Sequence, residues 1–68
     1  MIMLMIDPQK VRQLRESKGM TTRVFAREAG ISTETLNAIE HGRRQSSMRT
    51  LSKIAKALGV EARDLLGR

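Results

Sequence analysis

The chain has 68 residues, thirteen Lys and Arg against seven Asp and Glu, a formal net charge of +6, no cysteine and one aromatic residue, Phe25. This length allows one small domain, and the lack of cysteine removes disulfides and zinc–thiolate sites as sources of stability. A disulfide-rich toxin, a transmembrane protein and an enzyme with a large cleft are therefore disfavoured. A basic cytoplasmic domain with a polyanionic partner is favoured.

The first six residues, from Met1 to Ile6, form an unbroken apolar run. The run is too short to span a bilayer, and it lacks the basic flank and the cleavage site of a signal peptide. Three alternatives remain for it: a disordered extension, a short β-strand that covers the core, and a strand that pairs with its copy in a second subunit. Residues 1–6 are thus treated as a separate segment and residues 7–68 as the domain.

Start and stop signals divide the remaining chain into five predicted helices. Polar capping residues precede each of the first four, and a glycine ends each one. Pro8 is suited to the first helical position because its missing N–H has no partner there. The caps and glycines pair as Asp7 with Gly19, Thr21 with Gly30, Ser32 with Gly42 and Ser47 with Gly59, and a short fifth helix follows from Glu61 to Gly67.

The apolar residues recur at helical spacing and predict a single all-α core. Its helical members are Val11, Leu14, Phe25, Ala26, Ala29, Leu36, Ile39, Leu51, Ile54, Ala55, Leu58, Leu65 and Leu66. Four residues at the junctions are expected to join them: Met20, Ile31, Met48 and Val60.

The second and third predicted helices are separated only by Gly30, Ile31 and Ser32, the spacing of a sharp helix-turn-helix. The surrounding segments extend this match: Leu14-Arg15, Gly19-Met20-Thr21, Phe25-Ala26, Ala29-Gly30-Ile31-Ser32, Thr35-Leu36, Ile39-Glu40, Gly42-Arg43-Arg44, Thr50-Leu51 and the tail from Ile54 to Val60. Through them the chain resembles the lambda-repressor/Cro-like (XRE-type) helix-turn-helix family. The resemblance implies a compact five-helix domain whose third helix enters the DNA major groove.

The resemblance also implies which residues of the third helix face the bases. Helical spacing places them on the face opposite Leu36 and Ile39, and a solvated helix face is the alternative reading. They are Thr33, Glu34, Asn37 and Ala38. Contacts to the DNA backbone are expected from residues around that helix, namely Thr22, Arg23, Arg43, Arg44 and Arg49.

Arg15 and Glu40 occupy positions that form a largely buried ion pair in similar proteins. The resemblance therefore implies a structural role for both, in which the pair joins the first helix to the end of the third. Such a pair adds little net stability, although removal of one partner is costly. It would orient the third helix without touching the bases.

The sequence thus predicts a sequence-specific double-stranded DNA-binding repressor, acting as a homodimer on a palindromic operator. Leu65, Leu66 and the N-terminal run are the expected dimer surface. The alternative is an antitoxin-like or adaptor module that binds a toxin or another regulator, and a third reading is the DNA-binding piece of a longer regulator. No enzyme activity, cofactor or metal site is predicted, because a helix end accounts for His41, and a turn and a cap account for Ser46 and Ser47.

Overall fold

The computed structural model describes residues 5–67. In this part of the chain four α-helices are followed by one turn of 3-10 helix. The α-helices are α1 (Pro8–Ser17), α2 (Thr22–Ala29), α3 (Thr33–Glu40) and α4 (Met48–Leu58), and the 3-10 turn is Ala62–Leu65. Within these residues no helix has the length and apolar character needed to cross a membrane.

All four predicted N-caps are confirmed. Each capping side chain accepts a hydrogen bond from a backbone N–H in the first turn of its helix, a group that has no partner inside the helix. The acceptors and donors are Asp7 and Gln9 at 3.0 Å, Thr21 and Val24 at 3.2 Å, Ser32 and Thr35 at 3.0 Å, and Ser47 and Thr50 at 3.2 Å.

The turn between α2 and α3 requires a glycine. Gly30 has a φ of 76°, in the left-handed region that other residues adopt only at a cost. This conformation lets the Ile31 N–H donate to the Ala26 carbonyl at 3.0 Å, which closes the end of α2. The predicted helix ends at Gly19, Gly42 and Gly59 are confirmed in the same way by their positive φ values.

The predicted core is confirmed apart from Met48, and it gains Ile6 together with the partly buried Ala57 and Ala62. Met48 is 55% exposed, because burial along α4 begins only at Leu51. Ile6, which was expected to be part of a separate segment, is 6% exposed and belongs to the core. The side chains with less than 2% exposure are Val11, Phe25, Leu36, Ile39, Leu51, Ile54 and Leu65.

The predicted fifth helix is wrong in kind and length. After the single 3-10 turn, Leu66 has φ −85° and ψ 144°, an extended conformation that ends the helix. Extension allows the backbone around Leu66 to pair with the N-terminal segment, which a continued helix would prevent. The alternative of a short N-terminal β-strand is also not found in the described part of residues 1–6, where Ile6 forms only an isolated antiparallel bridge with Leu66.

Two backbone hydrogen bonds hold this bridge. The Asp7 N–H donates to the Leu65 carbonyl at 2.8 Å, and the Gly67 N–H donates to the Met5 carbonyl at 2.8 Å. A Cβ atom on Gly67 would lie 2.8 Å from the Asp7 Cβ, so a glycine at this position allows the two segments to come this close. The bridge therefore closes the two ends of the described chain against each other.

The bridge bears on the expected dimer surface. Leu65 is fully buried in its own subunit, so its predicted place on that surface is wrong. Leu66 is half-buried, and Met5 is 44% exposed. The remainder of the predicted pairing segment, residues 1–4, lies outside the described residues, and its role stays a prediction.

Candidate nucleic-acid interface

Helices α2 and α3 form the predicted helix-turn-helix. Small buried residues of α2, Ala26 and Ala29, allow close approach at the turn, and α3 packs against both α2 and α1. Leu36 and Ile39 have no exposed surface and anchor the inner face of α3 in the core. The short turn and these two anchors fix the direction in which the other face of α3 points.

That outer face carries the four predicted base-contact residues. Glu34 is exposed, whereas Thr33, Asn37 and Ala38 are half-buried. Together they offer a hydroxyl, a carboxylate, an amide and a methyl group, which are the side-chain types that distinguish base edges in a major groove. None of the four belongs to the buried core, unlike Leu36 and Ile39, and their contacts to bases remain predictions.

No lysine or arginine occurs in α3, and the positive charge lies on the segments around it. Arg23 and Arg49 are the second residues of α2 and α4, and Arg43 and Arg44 lie in the α3–α4 loop, residues 41–47. All four are exposed, and none forms an ion pair among residues 5–67. Thr22, the first residue of α2, is half-buried beside Arg23.

The helix termini give these positions an electrostatic preference. The backbone N–H groups at the start of a helix carry partial positive charge, which attracts anions and disfavours a nearby cation. Arg23 and Arg49 therefore stand where an arginine is slightly unfavourable in the free protein. An anion that contacts both the helix start and the guanidinium turns this small cost into an attraction.

The sequence did not single out Thr35, which links the start of α3 to the loop. Its hydroxyl oxygen accepts from Ser32 Oγ at 2.8 Å and from Arg44 Nη1 at 3.4 Å. The spacing of three residues from the Ser32 cap is the signal that could have identified it. A cavity of about 280 Å³ opens beside this contact and is lined by Thr35, Ile39, Arg44, Gln45, Ser46, Ser47 and Thr50.

The predicted ion pair between Arg15 and Glu40 is present. Arg15 donates from Nε to Glu40 Oε2 at 2.8 Å and from Nη2 to Oε1 at 3.0 Å, and its Nη1 donates to the Met20 carbonyl at 2.7 Å. The side chains are 10% and 2% exposed. The hydrogen bond with Glu40 is the main cause that raises the pKa of Arg15 above its ordinary value, against the opposing effect of burial. The pair ties α1 to the last residue of α3 and so fixes its orientation.

His41, Ser46 and Ser47 are engaged separately. His41 caps α3, with Nδ1 lying 2.7 Å from the Asn37 carbonyl oxygen. Ser46 Oγ donates to the Ser47 carbonyl at 2.8 Å, and Ser47 caps α4. In the described part of the chain, no group of three or more His, Asp or Glu is arranged to hold a metal ion.

Comparisons with known proteins agree with this arrangement. Control protein C.BamHI of Bacillus amyloliquefaciens is 44% identical over 59 residues, which are 85% of this chain and 73% of that protein. Among solved structures, the restriction-modification controller C.AhdI of Aeromonas hydrophila has a TM-score of 0.82 and 33% identity, with 85% of this chain and 88% of that chain covered.

The biofilm regulator SinR of Bacillus subtilis, solved in complex with DNA, also has a TM-score of 0.82, with 29% identity over 85% of this chain and 94% of that chain. The helix-turn-helix family model HTH_3 matches residues 11–65, which include α2, the turn and α3. This chain is therefore a member of the helix-turn-helix family and carries its DNA-binding fold.

Proposed function

We propose that this protein is a sequence-specific, double-stranded DNA-binding transcriptional repressor that acts in the cytoplasm as a homodimer on a palindromic operator. The observation that carries the proposal is the arrangement around α3, where a polar face without basic residues is flanked by four exposed arginines. Base contacts specify a sequence and phosphate contacts provide affinity, so such a division of side chains suits a regulator that selects its site.

The proposed base contacts follow from the chemistry of the outer face of α3. Asn37 can pair with N6 and N7 of adenine, and Glu34 can accept from N4 of cytosine. Thr33 can hydrogen-bond to a base or touch a thymine methyl, and Ala38 offers an apolar contact only. We assign the largest share of sequence preference to Asn37, because a bidentate pair discriminates bases most strongly.

Contacts to phosphates are assigned to Thr22 and to the flanking arginines Arg23, Arg43, Arg44 and Arg49. The starts of α2 and α4 add backbone N–H groups at Thr22 and Arg49. Neutralising about four phosphates with these four arginines gives a slope of about −3 to −4 in a plot of log affinity against log salt concentration for each subunit. This slope is a direct measure of the proposed phosphate contacts.

Dimerisation is proposed on energetic grounds. A single module of this size rarely reaches the affinity and specificity that a genome requires, and two half-sites about one helical turn apart supply both. We place the dimer surface at Leu66 and at the N-terminal run without Ile6, which is buried in the core. Deletion of Met1 to Met5 is then expected to shift the protein towards monomer in analytical sedimentation; an unchanged dimer would place the interface elsewhere.

Selection of binding sites from random duplex DNA tests the proposal. We expect enrichment of a palindrome, and no enrichment at low salt contradicts sequence-specific binding. Asn37→Ala is expected to change the selected sequence, whereas Arg43→Ala is expected to weaken binding to every duplex and to reduce the salt slope by about one. Gln13→Ala, an exposed change on α1, serves as the control.

The proposed biological setting follows from the similarity to control proteins, one of which is named a restriction-modification controller. We propose autoregulation, in which the protein represses its own gene, as the first case to test. DNA from upstream of its coding sequence is expected to compete with the selected palindrome for binding. Competition no better than that of random DNA would exclude this operator.

A second candidate is an antitoxin-like or adaptor module that binds a toxin or another regulator. Three exposed apolar side chains favour it: Met5, Val24 and Met48, at 44%, 42% and 55% exposure. Exposed apolar side chains mark contacts with other proteins where they form a contiguous patch, so the substitutions below are made at two of these positions. This candidate predicts that no duplex sequence is enriched in the selection. It also predicts a stable complex with the toxin or regulator, which Val24→Gln or Met48→Gln weakens.

A further inference from the structure

The N-terminal segment is connected to the loop that carries Arg43 and Arg44. Around the antiparallel bridge, the hydrogen bonds run from Asp7 to Leu65 and from Gly67 to Met5. In this pattern the backbone N–H of Ile6 itself points away from Leu66. It instead donates to Gln45 Oε1 at 3.2 Å, across 39 positions of sequence. A loop side chain thus takes the place of a neighbouring strand.

The hydrogen bond to Gln45 provides an acceptor for the backbone N–H of Ile6. Ile6 is 6% exposed, and its N–H is in a partly buried position where water competes poorly. Buried backbone donors nearly always find an acceptor, and loss of that acceptor leaves an unsatisfied group. Gln45 is therefore held in place by a fixed backbone donor.

The same residue lies where it can fix the loop. Arg43 N–H donates to the Ala38 carbonyl at 2.9 Å, and Ser47 begins the cap of α4. Between them, among residues 5–67, the side chains of Arg44 and Gln45 are the links from the loop to other elements: Arg44 to Thr35 and Gln45 to Ile6. These two links connect the loop to α3 and to the N-terminal segment, and both side chains line the cavity beside Thr35.

We propose that Gln45 is a positioning residue for phosphate contact: through its bond to the Ile6 N–H it holds the α3–α4 loop so that Arg44 is presented to the DNA backbone. The inference rests on the proposed function. A loop that is ordered before binding loses less conformational entropy on binding, and this difference appears as affinity. The effect is independent of sequence because no base is contacted.

Gln45→Met tests the inference, because it keeps the length of the side chain and removes the acceptor. We expect the dissociation constant for the selected palindrome and for a random duplex to rise by the same factor, about three- to tenfold. Gln13→Met, the same change on the exposed face of α1, is expected to have no effect. Gln45 is exposed, so the fold should persist, as thermal unfolding followed by circular dichroism will check.

Amide hydrogen exchange provides a second readout in the free protein. The Ile6 amide is expected to lose protection in Gln45→Met, while the Asp7 amide, bonded to the Leu65 carbonyl, keeps it. Gln45→Glu retains an acceptor oxygen and is expected to preserve the Ile6 protection. If weaker DNA binding in Gln45→Met comes with unchanged Ile6 protection, Gln45 acts by touching DNA directly and the inference is wrong.

A double-mutant cycle with Arg44→Ala completes the test. If Gln45 acts through Arg44, Gln45→Met should change affinity less than twofold in the Arg44→Ala background. Additive losses overturn the inference, as does equal binding by Gln45→Met and the unaltered chain. A chain that binds no duplex at all refutes the proposed function itself, and the inference with it, so the two failures are distinguishable.

Discussion

Removal of Arg15, whose side chain is 10% exposed, is expected to cost a large share of the stability of the domain. Its guanidinium makes three hydrogen bonds of 2.7–3.0 Å, two of them to Glu40, whose side chain is only 2% exposed. In Arg15→Met the buried carboxylate of Glu40 loses its partner, a change that costs about 3–5 kcal/mol. A domain of 68 residues has a total stability of roughly 3–10 kcal/mol, so this variant should lose about a third of its stability or more.

The structure also predicts an order among the variants of this pair. Glu40→Leu should cost less than Arg15→Met, because the guanidinium is 10% exposed and keeps its bond to the Met20 carbonyl. The double variant should recover most of the loss, since no unpaired charge remains buried. Arg12→Met, an exposed change on α1, is the control and should stay within about 0.5 kcal/mol.

Urea unfolding followed by far-ultraviolet circular dichroism measures all four variants. Two results would refute the reasoning. If Arg15→Met lies within about 1 kcal/mol of Arg12→Met, the buried carboxylate is better solvated than its 2% exposure implies. If the double variant is as unstable as Arg15→Met, lost packing and not the unpaired charge is the cause.

Three smaller predictions concern other parts of the chain, each measured by the same unfolding assay. Ser47→Ala removes the acceptor for the Thr50 N–H and should cost about 1 kcal/mol; an unchanged midpoint would mean that water replaces the cap. Gly67→Ala places a Cβ atom 2.8 Å from that of Asp7 and should cost about 1–3 kcal/mol; an unchanged midpoint would mean that the backbone at Gly67 shifts without cost. Met48→Gln, at a site 55% exposed, should stay within about 0.5 kcal/mol, and a larger loss would return Met48 to the core.

The parts of the fold that the sequence predicts are those decided over a few residues. A cap and the N–H that it accepts from are two or three positions apart, as for Ser32 and Thr35, so residue type and spacing are sufficient. The core face of α3 follows from the period of the helix, with Leu36 and Ile39 three positions apart. The position of the candidate base-contact residues was predictable for the same reason.

The parts that the sequence misses depend on contacts between distant segments. Nothing in the local pattern around Gln45 indicates a bond to Ile6, 39 positions away. The apolar spacing of Met48 matches the core face of α4, yet burial starts at Leu51, because the end of a helix can extend beyond the elements that cover it. Leu66 is extended because Ile6 pairs with it, which no helical propensity could reveal.

The pairing of the two chain ends has a consequence for folding and turnover. Helices α2 and α3 meet through a short turn, whereas Ile6 and Leu66 must close a loop of nearly the whole chain, which is the costlier step. We therefore expect the terminal bridge to open at a lower free energy than the helix-turn-helix. Opening exposes buried side chains of both ends together, Ile6 from one and Leu65 from the other. Loss of either paired segment is thus expected to weaken the other and to raise the susceptibility of both to proteases.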